Sequence, residues 1–185
     1  MKIAIVDDSS LDRDFLKNGL EIIFEERNIE NLEIQEFSSG EELLNYLREN
    51  PSDFFHIIFM DIYMEDLTGV ETAKAIRKTD EQVKIVFITT SNEFASESYE
   101  VNACYYLRKP FGRDKVKVML DRLNLAEIEK MRTVKLPDGT SAILRNIIYV
   151  DFSSHRVTLH CKYDVDTIVR TSFSEIESLL CAYPY

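Results

Sequence analysis

The sequence predicts an α/β fold: a five-stranded parallel sheet with helices on both faces, followed by a smaller β-rich unit. Three observations carry this. Over the first 123 residues, short apolar runs and helix-spaced apolar patterns alternate five times, and regular alternation of that kind packs as a parallel sheet covered by helices. The middle run, Phe55-His-Ile-Ile-Phe-Met60, is apolar almost throughout, as in a strand buried on both faces. From Thr133 the alternation gives way to β-branched and aromatic segments separated by turn residues.

Lys2 to Val6 is the first strand. Ser9 or Ser10 then caps a helix whose apolar positions Leu11, Phe15, Leu16, Leu20, Ile23 and Phe24 share helical spacing. Leu32 to Phe37 is the second strand, and Ser39 with Glu42 predicts a capping box opening the second helix. After the central strand, a helix spans about Thr68 to Arg77 and the fourth strand Lys84 to Ile88. A fourth helix is expected over Glu93 to Val101, a short strand over Cys104 to Leu107, and a last long helix from Gly112 to about Met131. Beyond it, strands are expected at Thr133–Leu136, Ile143–Phe152, Val157–Cys161 and Val165–Arg170, with a turn at Pro137-Asp-Gly139. Ser172 or Ser174 opens a short helix ending near Cys181. The organisation is therefore a domain over 1–125, a linker at 126–131 that ends the long helix, and a second unit over 132–185.

With 45% hydrophobic and 30% charged residues, the 185-residue chain has the composition of a soluble globular protein. No apolar run reaches the ~18 residues that cross a bilayer. The first residues turn acidic too soon for a signal peptide, so no membrane role and a cytoplasmic location are expected. Cys104, Cys161 and Cys181 have no paired spacing and suggest neither a disulfide framework nor a zinc site. The net charge of −11 is uneven: residues 1–125 hold 25 acidic and 15 basic side chains, residues 126–185 hold 8 and 7. The first part is thus unsuited to attracting nucleic acid at long range, while the second is neutral enough for a local basic patch to matter.

Chemistry-bearing residues follow four strand ends. Asp7 and Asp8 follow the first strand, Asp61 the third, Thr89 the fourth and Lys109 the fifth. In open α/β sheets the carboxyl ends of the strands form the reactive crevice. Three carboxylates meeting there repel one another unless a cation sits among them, and hard oxygen ligands suit Mg²⁺. The arrangement points to phosphoryl transfer onto a carboxylate, with the cation and Lys109 neutralising the transferred oxygens and Thr89 donating to one of them. Tyr63 and Ser91, two residues beyond Asp61 and Thr89, are placed at the crevice mouth, where they would tune attack by water.

Ile5-Val-Asp-Asp8, Met60-Asp-Ile62 with Leu67-Thr-Gly69, Phe87-Ile-Thr89 and Lys109-Pro-Phe111 together resemble the receiver domain of two-component response regulators, over about residues 1–123. The resemblance implies the flavodoxin-like receiver fold, with Asp61 as phosphoacceptor for a sensor histidine kinase. It implies Asp8 as a direct Mg²⁺ ligand, Asp7 as a ligand through water, and the backbone carbonyl of Tyr63 as a third. Thr89 and Lys109 would meet the phosphoryl oxygens, Tyr106 stands at the switch aromatic position, and the Lys109–Pro110 bond resembles the family's cis peptide. Glu65 stands where the family usually has Pro, and Thr90 where it has Ala or Gly. Both changes bear on switching rates and neither removes a ligand.

Arg145 to His160, and then Arg170 to Leu180, resemble the opening of the LytTR-type DNA-binding domain. That implies a transcription regulator whose β-rich output part reads DNA through loops, with His155 and Arg156 in one such loop. It also implies a homodimer formed on phosphorylation. The chain stops about halfway through that family's domain, so a truncated output part is expected. Two other readings compete. One is a receiver or protein-interaction module without DNA binding. The other is an Mg²⁺-dependent hydrolase with an Asp nucleophile, but Tyr63 stands where the haloacid dehalogenase class has its second acid.

Overall fold

The computed structural model describes residues 1–29, 32–50, 55–90, 101–125, 128, 133–162 and 166–181. They fall into two compact units, Met1–Leu125 and Ala126–Tyr185. In the first, strands β1 (Lys2–Val6), β2 (Glu33–Phe37), β3 (Ile57–Asp61), β4 (Lys84–Thr89) and β5 (Tyr105–Arg108) form one parallel sheet in the order β2-β1-β3-β4-β5. Every residue of β3 is buried, as a central strand between two helical layers requires. The order reverses direction beside β1, so β1 and β3 splay their carboxyl ends around a crevice.

Helix α1 (Ser10–Glu26) is capped by Ser9, whose Oγ accepts from the Asp12 N–H at 3.3 Å. It buries Leu16, Leu20, Ile23 and Phe24. It also meets α4 (Arg113–Leu123) through ion pairs Arg27–Asp121 at 2.7 Å and Lys117–Glu26 at 2.6 Å. The core formed with α2 (Gly40–Glu49) and α3 (Gly69–Arg77) takes the alternate side chains of the strands, among them Ala4, Ile58, Met60 and Phe87. Thr68 and Glu71 form a complete capping box at α3. At α2 the predicted box is only half made. Ser39 accepts from the Glu42 N–H, but the Glu42 carboxylate takes the N–H and hydroxyl of Ser38, one residue earlier.

Two further expectations are corrected. The long last helix does not run unbroken to Met131. It stops at Leu123 because Asn124 enters the left-handed region at φ 50°, which ends helices readily at Asn. Helical backbone resumes at Leu125 and Ile128. The expected strand over Ile143–Phe152 is two strands in different sheets. β7 (Ser141–Ile143) pairs with β6 (Thr133–Lys135), and a 3₁₀ turn over Leu144–Asn146 separates it from β8 (Ile147–Ser153). The Asn146 carbonyl then accepts from the Lys162 N–H at 2.7 Å, tying that turn to the residue after Cys161.

β8 and β10 (Thr167–Val169) flank β9 (Arg156–Cys161) in an antiparallel sheet, and α5 (Phe173–Cys181) closes the unit's core with Ile176 and Leu180. Gly139 takes φ 85° in the β6–β7 turn, a conformation other residues reach only with strain. The helix expected over 93–101 lies outside the described residues save for Val101, as do Ser91, Val165 and most of the linker at 126–131. Cys104, Cys161 and Cys181 take part in no disulfide among the described residues. No helix among the described residues is long and apolar enough to cross a membrane.

Candidate functional site

β1 and β3 each deliver a carboxylate to the crevice as their last apolar residues pass into loop. Asp7 and Asp61 are buried while Asp8 is exposed. Carboxylate oxygens of all three lie within 4.8 Å of one another. Asp7 is held by its backbone, its N–H donating to the Phe37 carbonyl at 3.1 Å and its Oδ1 accepting from the Ser9 N–H at 2.9 Å. Asp61 Oδ1 accepts from the Ile62 N–H at 2.8 Å.

Gly69 explains how α3 can start so close to Asp61. A Cβ there would sit 2.1 Å from the Asp61 carbonyl oxygen, so only glycine permits this approach. Lys109 arrives at the end of β5, aligned by its own N–H donating to the Thr89 carbonyl at 2.7 Å. The bond between Lys109 and Pro110 is cis.

The Lys109 ammonium lies 2.7 Å from Asp7 Oδ2, 3.4 Å from Asp61 Oδ2 and 2.6 Å from Asp12 Oδ2. Burial pushes the Asp61 carboxyl up to about 6 against the pull of Lys109, with the charge of Asp7 adding to the rise. Burial also works against the Lys109 charge, but its hydrogen bonds to Asp12 and Asp7 and the charge of Asp61 outweigh it and raise its pKa. The site therefore combines an excess of negative charge with a permanently protonated amine. Hard oxygen donors around a shared point, one of them open to solvent, fit a divalent ion that retains water.

Thr89 is fully buried at the end of β4, next to β3. Tyr106 pairs in register with Phe87 and packs, half-buried, against the core shared with α2 and α3. Tyr63, two residues beyond Asp61, is 41% exposed. A cavity of about 450 Å³ opens beside the acids, walled by Phe15, Leu16, Phe59, Ile88 and Phe111. His56 accepts from the Lys2 N–H through Nδ1 at 3.0 Å.

The sequence reading missed Asp12 and Arg13. In sequence, Asp12 is one acid of a first helical turn; in the fold Arg13 donates to the Asp7 carbonyl. Nothing local marks Asp12, because its partner Lys109 is delivered by the end of β5, and Arg13 reaches Asp7 only once α1 packs beside β1. In the second unit His155 and Arg156 are exposed, but they do not share a loop. Arg156 is the first residue of β9, paired with Ser153, and only Ser154 and His155 form the turn, at φ 51° and 60°.

Residues 3–121 match the response regulator receiver domain family. The chain belongs to that family. The transcriptional regulatory protein LytR of Staphylococcus aureus (strain bovine RF122 / ET3-1) is 33% identical to the receiver chain over 157 residues, 84% of this chain and 55% of that protein. The sensory transduction protein LytT of Bacillus anthracis is 31% identical over 177 residues, 86% of this chain and 69% of its own. The receiver chain thus spans little more than half of the first and about two-thirds of the second. The response regulatory domain of mrkE from Klebsiella pneumoniae matches its fold with a TM-score of 0.59 at 31% identity, over 68% of this chain and 97% of that one. Chemotaxis protein CheY4 of Vibrio cholerae matches at 0.55 and 28%, over 65% and 96%. This response regulator thus has a CheY-like receiver fold, additional antiparallel strands, and relatives that regulate transcription.

Proposed function

We propose that Asp61 is the phosphoacceptor of a two-component system and that its phosphorylation by a sensor histidine kinase controls transcription. The observation that carries this reading is the buried Asp61 carboxylate facing both Asp7 and the Lys109 ammonium. An oxygen of Asp61 attacks phosphorus. The P–N bond of the donor phosphohistidine breaks, its electron pair leaves with the imidazole, and an acyl phosphate remains. Asp8, Asp7 and the Tyr63 carbonyl, with Asp61, would hold Mg²⁺, which supplies charge neutralisation for the transferred oxygens. Lys109 pairs with one phosphoryl oxygen and the Thr89 hydroxyl donates to another. Tyr63, with Ser91, governs access of water to the acyl phosphate and so its lifetime.

The output is conformational. Drawing Thr89 and Lys109 toward the phosphoryl group opens room for Tyr106 to turn inward, and the altered surface pairs two copies of the chain. The second unit, over 132–185, acts as the LytTR-like output part, with His155 and Arg156 contributing to contact with DNA in the whole protein. The domain over 1–125 is the receiver, joined to it through 126–131, and the protein works in the cytoplasm without catalysing turnover of any substrate other than its own phosphoryl group.

Acetyl phosphate with Mg²⁺ tests the core of this reading. One phosphoryl group per chain is expected, lost in Asp61→Asn. Undiminished labelling of that variant would falsify the assignment. Asp8→Ala should weaken Mg²⁺ binding more than Asp7→Ala, as followed by thermal shift.

A further inference from the structure

Lys109 does not sit midway among its carboxylates. Its two short contacts, 2.6 Å to Asp12 and 2.7 Å to Asp7, draw it toward α1, and its contact to Asp61 is long at 3.4 Å. Asp12 is the third residue of α1 after its cap, a position where an acid ordinarily serves only the helix terminus. Here its side chain instead closes an ion pair with a residue on the far side of the crevice.

The two short contacts differ in one respect. Asp7 belongs to the oxygen cluster with Asp8 and Asp61 that fits a divalent ion, whereas Asp12 lies outside that cluster. A cation among the three acids therefore shares the charge of Asp7 and leaves the claim of Asp12 on Lys109 intact. We infer that Asp12 is a positioning residue that holds the Lys109 ammonium against α1 until a phosphoryl group on Asp61 draws it away. The inference rests on Asp61 being the phosphoacceptor. Its consequence is a restraint on the switch: each phosphorylation must break the Asp12–Lys109 pair before Lys109 meets the phosphoryl oxygen. Because the Asp12 side chain is 47% exposed, the restraint is moderate and screened by salt.

The test uses the 185-residue chain. Initial rates of labelling by acetyl phosphate at saturating Mg²⁺ are compared for the parent, Asp12→Asn, Asp12→Glu and Asp14→Asn. Asp14 is exposed on the same helix, so its variant removes one negative charge without touching Lys109. Asp12→Asn should label about two- to fivefold faster at low salt, the range a half-exposed ion pair supports, with the advantage shrinking as salt rises. Asp12→Glu, which keeps the charge, should fall back toward the parent. Equal rates in Asp12→Asn and Asp14→Asn would reduce the effect to bulk charge and overturn the inference, as would a slower Asp12→Asn.

A second readout needs neither metal nor phosphodonor. The lysine side-chain ammonium resonance of Lys109 in metal-free protein, assigned with Lys109→Arg, should move in Asp12→Asn and stay in place in Asp14→Asn. An unmoved resonance shows that the pair does not exist in solution. A parent chain that takes no label at all overturns the phosphoacceptor reading, and this inference with it. A labelled parent with an unresponsive Asp12→Asn overturns only the inference.

Discussion

At the scale of single residues, the site holds charge where burial makes charge costly. Asp61 is buried beside Asp7, and one ammonium shared among three acids does not neutralise them. Asp61→Asn should therefore raise the stability of the metal-free protein, by on the order of 1–2 kcal/mol, while removing phosphorylation. Urea unfolding in the presence of a chelator measures it, and a destabilised variant would mean that Lys109 gains more from Asp61 than the burial of Asp61 costs. Gly69 is the opposite case, a residue that matters by the absence of a side chain. Gly69→Ala would force a methyl into the Asp61 backbone, 2.1 Å from its carbonyl oxygen. Roughly 1–3 kcal/mol of stability should be lost, with slower labelling because Asp61 itself must shift. Native-like stability and rate together would show that α3 can slide freely.

At the scale of elements, the β8–β9 hairpin departs from local preference. Its two-residue turn places both Ser154 and His155 at positive φ, a geometry that Asn-Gly fits with far less strain. Replacing the pair by Asn-Gly should stabilise the second unit by about 1 kcal/mol, read by thermal unfolding. No gain would show that the strain is relieved by contacts outside the turn. The same sheet carries a proton-linked tie. On its open face His160 stacks on Tyr149 with ring centroids 4.2 Å apart, and its two nitrogens lie 2.9 Å from Asp151 and 2.7 Å from Asp166. The hydrogen bond to Asp151, then that to Asp166, raises the imidazole pKa above its ordinary 6.5. A base whose pKa is raised by folding stabilises most below its unfolded value, and that contribution fades as pH rises through the folded value. The melting temperature of the unit should therefore fall as pH rises from about 6.5 through the raised folded value, and His160→Asn should flatten the fall. An identical slope in the variant would assign the pH dependence elsewhere.

At the scale of the whole molecule, the proposed function requires the receiver to convert a local charge into a change of surface. A phosphoryl group on Asp61 would add up to two negative charges at a site that already carries an excess, and beside Mg²⁺ the proposed inward movement of Thr89 and Lys109 would meet them. Beryllofluoride with Mg²⁺ should accordingly drive the chain from monomer toward dimer in sedimentation velocity, and Asp61→Asn should not respond. An unchanged monomer at high protein concentration would uncouple the site from association. Under the proposed output role, DNA affinity in the whole protein should fall steeply with salt, because cationic contacts to phosphates release counterions.

The fold class, and the delivery of the candidate site residues to one edge of the sheet, were legible in the amino-acid sequence because their signals are local. Apolar periodicity separates strand from helix, and the residues that follow each strand of a parallel sheet are delivered to one edge wherever the helices lie. Asp7, Asp8, Asp61, Thr89 and Lys109 could thus be placed at one crevice before any contact was known. What tertiary structure alone decided depends on partners far apart in the chain. Asp12 finds Lys109 across the crevice, and Glu42 chooses Ser38 over Ser39. The run from Ser141 to Ser153 divides between two sheets, and Asn124 breaks a helix whose apolar pattern continues past it. A residue's type limits the bonds it can make, but which bond it makes is set by the groups that folding brings within reach.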